Sequence, residues 1–257
     1  MKRERTIRKK RDKMIKSVKE KNSGDKKMSK TIGIIGAMDE EIAELKKNII
    51  GMKTINIAGI KFYQGRLFNK ECIIVKSGVG KVFAAMTAQI LIDKFNVIKM
   101  IFTGLAGSIN RKIKIGDIII GEKCVQYDMN ASELGFKIGQ IPYTEYRFFH
   151  SDKKMIEDSL KTKIPGTKIL KGTILTGDLF LNHKEQEKYL PVFKELDGDC
   201  LEMEGAAVAQ VCTLNNIPFI IIRIISDNAD QDAVKHFEKF KDLVSHKSVE
   251  IIKNMII

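Results

Sequence analysis

From Lys30 to the C-terminus, short runs of β-branched apolar residues alternate with amphipathic stretches of helical spacing. That alternation restricts the chain to an α/β architecture on a largely parallel sheet: strands buried on both faces need continuous apolar runs, and the crossovers between them need helices. Thr31-Ile-Gly-Ile-Ile-Gly reads as a first strand. Residues 39–49 follow as a helix, with apolar positions at Ile42, Leu45 and Ile49 and three acids in the first turn, where they complement the helix dipole. Further strands are expected at 53–57, 61–67, 71–76, 98–103, 117–125, 170–175 and 218–225, and helices over 80–95, 152–160, 202–214 and 232–257. Gly and Asn-Lys turns between the early strands add antiparallel pairs. Residues 127–146, rich in Gly and aromatics, form a long loop. No repeat and no Pro- or Ser-rich linker interrupts this pattern, so the expected fold is a single α/β domain over 31–257, with a central mixed, partly parallel β-sheet flanked by helices.

The formal net charge of +13 suggests a polyanion partner until it is mapped along the chain. Residues 1–30 hold 14 Lys/Arg and 4 Asp/Glu, leaving +3 for everything that follows. This segment has few apolar residues and no apolar core of a secretory signal, so it is expected to be a disordered or loosely helical extension, with Met28 as an alternative start. Weak, salt-sensitive contact with polyanions is all it implies; no specific nucleic-acid partner is expected. Cys72, Cys124, Cys200 and Cys212 stand singly, without a Cys-x-x-Cys, and read as buried thiols of a reducing compartment rather than as disulfides or a metal site. No run of apolar residues is long enough to span a bilayer, and the expected location is cytoplasmic.

Two segments place charge against apolar surroundings. Phe219-Ile-Ile-Ile-Arg-Ile-Ile-Ser-Asp carries Arg223 inside an apolar run and ends at Asp227; Asp199-Cys-Leu-Glu-Met-Glu-Gly-Ala-Ala carries Glu202 and Glu204 before an apolar helix. An unpaired buried charge costs several kcal/mol, so these groups are paired or catalytic. A carboxyl at the end of an isoleucine strand is suited to holding a proton as a general acid, although an Arg223–carboxylate structural pair fits equally. Glu202 and Glu204 suit recognition of vicinal hydroxyls, since a carboxylate accepts two hydrogen bonds at once; the other reading is a solvated helix start. Among Asp39, Glu40 and Glu41, one acid is a candidate base, unless all three only complement the helix N-terminus. Lys76-Ser-Gly-Val-Gly-Lys-Val and Phe102-Thr-Gly-Leu-Ala-Gly-Ser read as glycine-rich turns after strands, where open α/β sheets bind ligands. Neither is a dinucleotide or phosphate-loop fingerprint, and no cofactor or metal is called for.

Together Gly33-Ile-Ile-Gly-Ala-Met-Asp-Glu-Glu, Ser77-Gly-Val-Gly-Lys-Val, Gly116-Asp117, Thr176-Gly-Asp-Leu-Phe, Leu201-Glu-Met-Glu-Gly-Ala-Ala and Ile225-Ser-Asp-Asn-Ala resemble, in order, the nucleoside phosphorylase superfamily, and most closely its 5′-methylthioadenosine/S-adenosylhomocysteine nucleosidases. The resemblance runs from Thr31 to the C-terminus. It implies hydrolysis of an adenine nucleoside, with Glu41 as the base on water, Asp227 as the acid to adenine N7, and Glu204 as the ribose-hydroxyl acceptor beside Met203. It also implies that Phe180 stacks on adenine, Leu181 offers backbone contacts to the base edge, and Ser226 supports Asp227. Val79 and Phe237 would line the thioalkyl slot, and Arg223 and Glu202 would form a buried pair shaping the sugar and water site. The family is typically a homodimer whose long loop, here with Leu134, Phe136 and Pro142, completes the neighbour's thioalkyl pocket. One departure stands out: Leu105 occupies a position where these nucleosidases often carry a serine that helps hold the water.

Two rivals follow from the same residues. A purine nucleoside phosphorylase shares the fold and ribose site but needs a cationic phosphate cradle, which Ser77-Gly-Val-Gly-Lys-Val and the acid Glu41 do not supply. A glycan- or polyanion-binding protein acting through residues 1–30 is the non-enzymatic alternative.

Overall fold

The computed structural model describes residues 30–181, 183–227 and 233–257, without the side chains of 183–184 and 233–244. The basic segment up to residue 29 and the side chain of Phe237 therefore lie outside the described residues. Ten strands form one mixed sheet: β1 (Ile32–Gly36), β2 (Ile50–Ile57), β3 (Ile60–Leu67), β4 (Lys70–Lys76), β5 (Lys99–Ser108), β6 (Ile118–Gln126), β7 (Phe149–His150), β8 (Ile169–Thr176), β9 (Cys200–Glu202) and β10 (Phe219–Asp227). The helices are α1 (Asp39–Lys47), α2 (Lys81–Phe95), α3 (Lys153–Leu160), α4 (His183–Glu195), α5 (Gly205–Leu214) and α6 (Ala233–Ile256).

Strand order is β10-β6-β8-β9-β5-β1-β4-β3-β2, with β7 beside β6. Because β10 also pairs with β5, strands β5, β10, β6, β8 and β9 close into a ring. β1 lies parallel between β4 and β5, whereas β2 and β3 extend the sheet as an antiparallel hairpin. The parallel strands are covered on both faces, which is why β1 and β10 are apolar almost throughout and buried at every position. Ile35, Phe62, Val75 and Phe102 pack beneath α2 and α5, and Ile34, Ile74, Ile101 and Ile222 beneath α1, α3 and α6. No helix among the described residues is long and apolar enough to cross a membrane.

The expected mixed α/β sheet is thus found, with differences in detail. The stretch 103–108, read as a glycine-rich turn, is strand: β5 continues to Ser108 because it pairs with β10 as far as Gly107 and with β9 at Gly107 and Ser108. β2 starts at Ile50 rather than 53, across an irregularity in its register with β3. Helix α4 has no counterpart in the sequence reading, and the helix expected from 202 starts only at Gly205, Glu202 being the last residue of β9. α4 holds Pro191, and β9 spans only three residues. All four cysteines are buried and unpaired, as expected.

Candidate active site

The carboxyl ends of β1, β4, β5 and β10 meet the start of α5 around a cavity of about 330 Å³. Glu41, Val79, Leu105, Phe180, Glu202, Met203, Glu204, Ser226 and Asp227 are on its wall. A smaller adjoining pocket of about 50 Å³ shares Phe180, Met203 and Asp227 and adds Leu181 and Gln186. Residues singled out in six separate segments of the sequence therefore converge on one space. Phe180 is half exposed at its mouth, whereas Glu41, Glu204, Ser226 and Asp227 are buried.

Glu41 is held from three directions. The N–H groups of Ala37 and Met38 donate to its Oε2 at 2.5 and 3.0 Å, and the N–H of Leu105 donates to Oε1 at 2.9 Å. The carboxylate thus caps its own helix while turning toward the cavity. Burial raises its pKa, opposed by the Arg223 charge and these three amides.

Arg223 is 1% exposed and fills the space behind this group. Its Nε donates to Oε2 of Glu202 at 3.1 Å, a second guanidinium nitrogen donates to the same oxygen, and the third donates to the Ile222 carbonyl. The guanidinium also lies over the Phe102 ring at 4.1 Å. Burial disfavours its charge, yet the carboxylates of Glu202, Glu204 and Glu41 more than compensate and raise its pKa. In register with Arg223 stands Gly104. A Cβ there would come within 2.6 Å of Glu41 Oε1 and 3.1 Å of Arg223 Nη1, so the glycine serves close approach inside a strand and not a turn.

The two acids read as a pair for hydroxyl recognition behave differently. Glu202 is occupied by the protein: besides Arg223, it accepts from the N–H groups of Glu204 and Gly205 at 3.1 and 2.6 Å and from the Thr176 hydroxyl. Thr176 in turn accepts the Ala206 N–H at 2.8 Å, so the start of α5 is capped by Glu202 and Thr176 together. Glu204 accepts the Gly80 N–H at 2.8 Å, and its carboxyl faces the cavity. Burial, reinforced by the Glu202 charge, pushes its pKa up to about 8 against the opposing pull of Arg223 and the Gly80 amide. The Ser226 hydroxyl donates to Asp227 Oδ2 at 2.7 Å. The Leu181 carbonyl accepts from Gln186 at 3.3 Å.

The wall carries four acids and, among the described residues, no Lys or Arg. In their ionised forms, the acids that the protein does not itself pair favour a developing cation and disfavour phosphate. Among the described residues no cluster of His, Cys, Asp and Glu is arranged to hold a metal ion. Gln186, Thr176 and Gly104 escaped the sequence reading as site residues. Thr176 gave a signal through its place in Thr176-Gly-Asp-Leu-Phe and Gly104 through Phe102-Thr-Gly-Leu-Ala-Gly-Ser; Gln186 gave none.

The profile of the phosphorylase superfamily matches residues 31–257. A 5′-methylthioadenosine/S-adenosylhomocysteine nucleosidase from Staphylococcus haemolyticus is 37% identical over 228 residues, covering 88% of this chain and 98% of the relative. The crystal structure of the enzyme of that name from Colwellia psychrerythraea, in complex with adenine, superposes with a TM-score of 0.84 at 34% identity, covering 88% of this chain and 94% of the other. A futalosine hydrolase of Helicobacter pylori superposes with a TM-score of 0.81 at 33% identity, covering 89% and 98%.

Proposed function

The chain belongs to the phosphorylase superfamily as a hydrolytic N-glycosidase of the 5′-methylthioadenosine/S-adenosylhomocysteine nucleosidase kind, and from that premise we propose how its own residues run the reaction. A water attacks C1′ of the nucleoside as the C1′–N9 bond breaks. Glu41 takes the water's proton, and Asp227 gives a proton to N7 so that adenine leaves neutral. Charge develops positive on the ribosyl ring, where the surrounding carboxylates favour it. Each positioned proton transfer contributes ~10²–10⁴-fold.

Glu204 accepts the ribose hydroxyls beside Met203, and Phe180 stacks on adenine above the pocket that holds Leu181. Val79 and Phe237 are assigned to the thioalkyl slot, Ser226 orients Asp227, and the Arg223–Glu202 pair stiffens the floor. 5′-Deoxyadenosine fits the same chemistry. The observation that carries this reading is the convergence of Glu41, Glu204 and Asp227 on one cavity whose wall, among the described residues, has no Lys or Arg.

The decisive experiment is incubation with 5′-methylthioadenosine and S-adenosylhomocysteine, with adenine release followed in the presence and absence of phosphate. Release independent of phosphate supports hydrolysis. Release that requires phosphate would make the enzyme a phosphorylase, and cleavage of a futalosine-type nucleoside alone would move the substrate class.

A homodimer is part of the proposal. Val82 and Phe83 on α2 and Leu134 and Tyr143 on the long loop are exposed apolar side chains, and Phe136 packs its ring against Tyr143. Sedimentation at micromolar concentration checks this, a monomer being the contrary result. The four reduced thiols suit a cytoplasmic enzyme.

A further inference from the structure

We propose that Lys81 is a positioning residue that locks the sugar and base subsites together through Asp128 and Asp178. The proposal rests on the nucleosidase reading of the cavity but concerns residues outside its wall. Lys81 opens α2, and its Nζ donates to both carboxylate oxygens of Asp128 at 2.7 and 2.9 Å and stands 3.6 Å from Asp178 Oδ2. Its backbone N–H donates to Asp178 Oδ1 at 2.9 Å, and the Asp178 N–H donates to Asp128 Oδ2 at 3.0 Å. Three segments far apart in sequence are thereby tied into a closed triangle: the turn after β4, the loop after β6 and the segment after β8.

Two of its corners, Lys81 and Asp178, lie next to residues of the cavity wall, and Asp128 ties them together. Gly80, one residue before Lys81, donates its N–H to Glu204. Asp178 is two residues before Phe180, and Val79 belongs to the same turn as Gly80. The Lys81 and Asp128 side chains are only 17% and 19% exposed, so their attraction is screened less than that of a surface pair. An ammonium with several donors suits a corner shared by two carboxylates. Without it, Asp128 and Asp178 face each other as like charges, and the Phe180 segment separates from the Glu204 floor. Glu41 and Asp227 are held elsewhere, by the β1–α1 junction and by β10, so the reacting groups keep their places.

This division predicts a kinetic split. Lys81→Met should raise KM for 5′-methylthioadenosine about tenfold while kcat stays within about threefold, and should weaken adenine binding in calorimetry to a similar degree. Asp128→Asn keeps an acceptor for the Asp178 N–H and removes a charge, so it should move KM in the same direction by a smaller factor. The double variant should be no worse than Lys81→Met, because both remove one linkage. Unchanged KM and adenine affinity in Lys81→Met, or additive effects in the double variant, would overturn the proposal. So would a fall in kcat accompanied by a lowered melting temperature, which marks a purely structural role. Should Lys81→Met fail to fold, Asp128→Asn and Lys81→Arg carry the test, the arginine variant being expected to recover most of the affinity. Absence of turnover by the wild-type enzyme counts against the nucleosidase reading alone, since adenine binding still reports on the triangle.

Discussion

The backbone N–H of Leu105 donates to Oε1 of Glu41 at 2.9 Å, so a residue whose side chain can neither donate nor accept still fixes the candidate base. The amide does not depend on residue type, whereas the carboxylate does. Glu41→Gln should therefore reduce kcat by ~10²–10⁴-fold, while Leu105→Ser should retain activity within about tenfold of wild type. Steady-state assays of adenine release on the two variants check this; comparable losses in both would show that the apolar Leu105 side chain, and not its amide alone, is needed at the centre.

Gly104→Ala is the smallest change that should disturb the centre. The added methyl would stand 2.6 Å from Glu41 Oε1, well inside van der Waals contact, and both Glu41 and Arg223 would have to move. A displacement of about 1 Å in a reacting group can cost ~10²-fold in rate. The expected result is that loss in kcat with secondary structure retained by circular dichroism.

Removing Arg223 should destabilise the protein whatever it does to catalysis. Arg223→Met leaves Glu202 buried beside Glu204 without its partner, which costs about 3–5 kcal/mol. In a domain of this size that lowers the melting temperature by about 6–20 °C. Arg223→Met combined with Glu202→Gln should be less destabilised than the single arginine variant, because no uncompensated carboxylate remains at 202. Denaturant titration of the single and double variants measures the difference.

The raised pKa of Glu204 gives a pH dependence of definite sign. The carboxyl titrates near 4.5 when exposed and at about 8 in the folded, ligand-free protein. Between those values the native state binds more proton than the unfolded one, so stability falls as pH rises from about 4.5 to about 8. If the ionised form accepts the ribose hydroxyls, kcat/KM rises over the upper end of the same window. Glu204→Gln should flatten the stability profile and remove that limb of the kcat/KM profile. Its persistence in the variant would assign it to another group.

What the chain discloses without coordinates is local. Apolar runs long enough to be buried on both faces marked β1 and β10, and the acids of 39–41 marked α1, because strand and helix signals of this kind need no knowledge of neighbours. Arg223 stood out by the same logic, as a charge where burial was already implied. Pairing across distance was not legible. Glu202 meets Arg223 21 positions away and Thr176 26 positions away, so which of the acids at 202 and 204 the protein itself consumes depends on tertiary contact. Gly104 looks like a turn residue in one dimension; its purpose emerges only when β10 brings Arg223 alongside it. β9 exists because β5 and β8 flank it, and three residues carry no pattern of their own.

Ring closure by β10 has a consequence for how the protein behaves in company. Strands of the ring have neighbours on both sides, whereas β2, at the far margin, pairs among the described residues only with β3. Its outer hydrogen-bonding groups are where an extended polypeptide could dock and nucleate a fibril. Lys53 brings charge to that margin, and the register breaks between Ile50 and Lys53, with Gly51 at positive φ. Lys53 and the Gly51 break act as gatekeepers, and replacing both with flat, apolar residues would invite self-assembly without touching the chemistry.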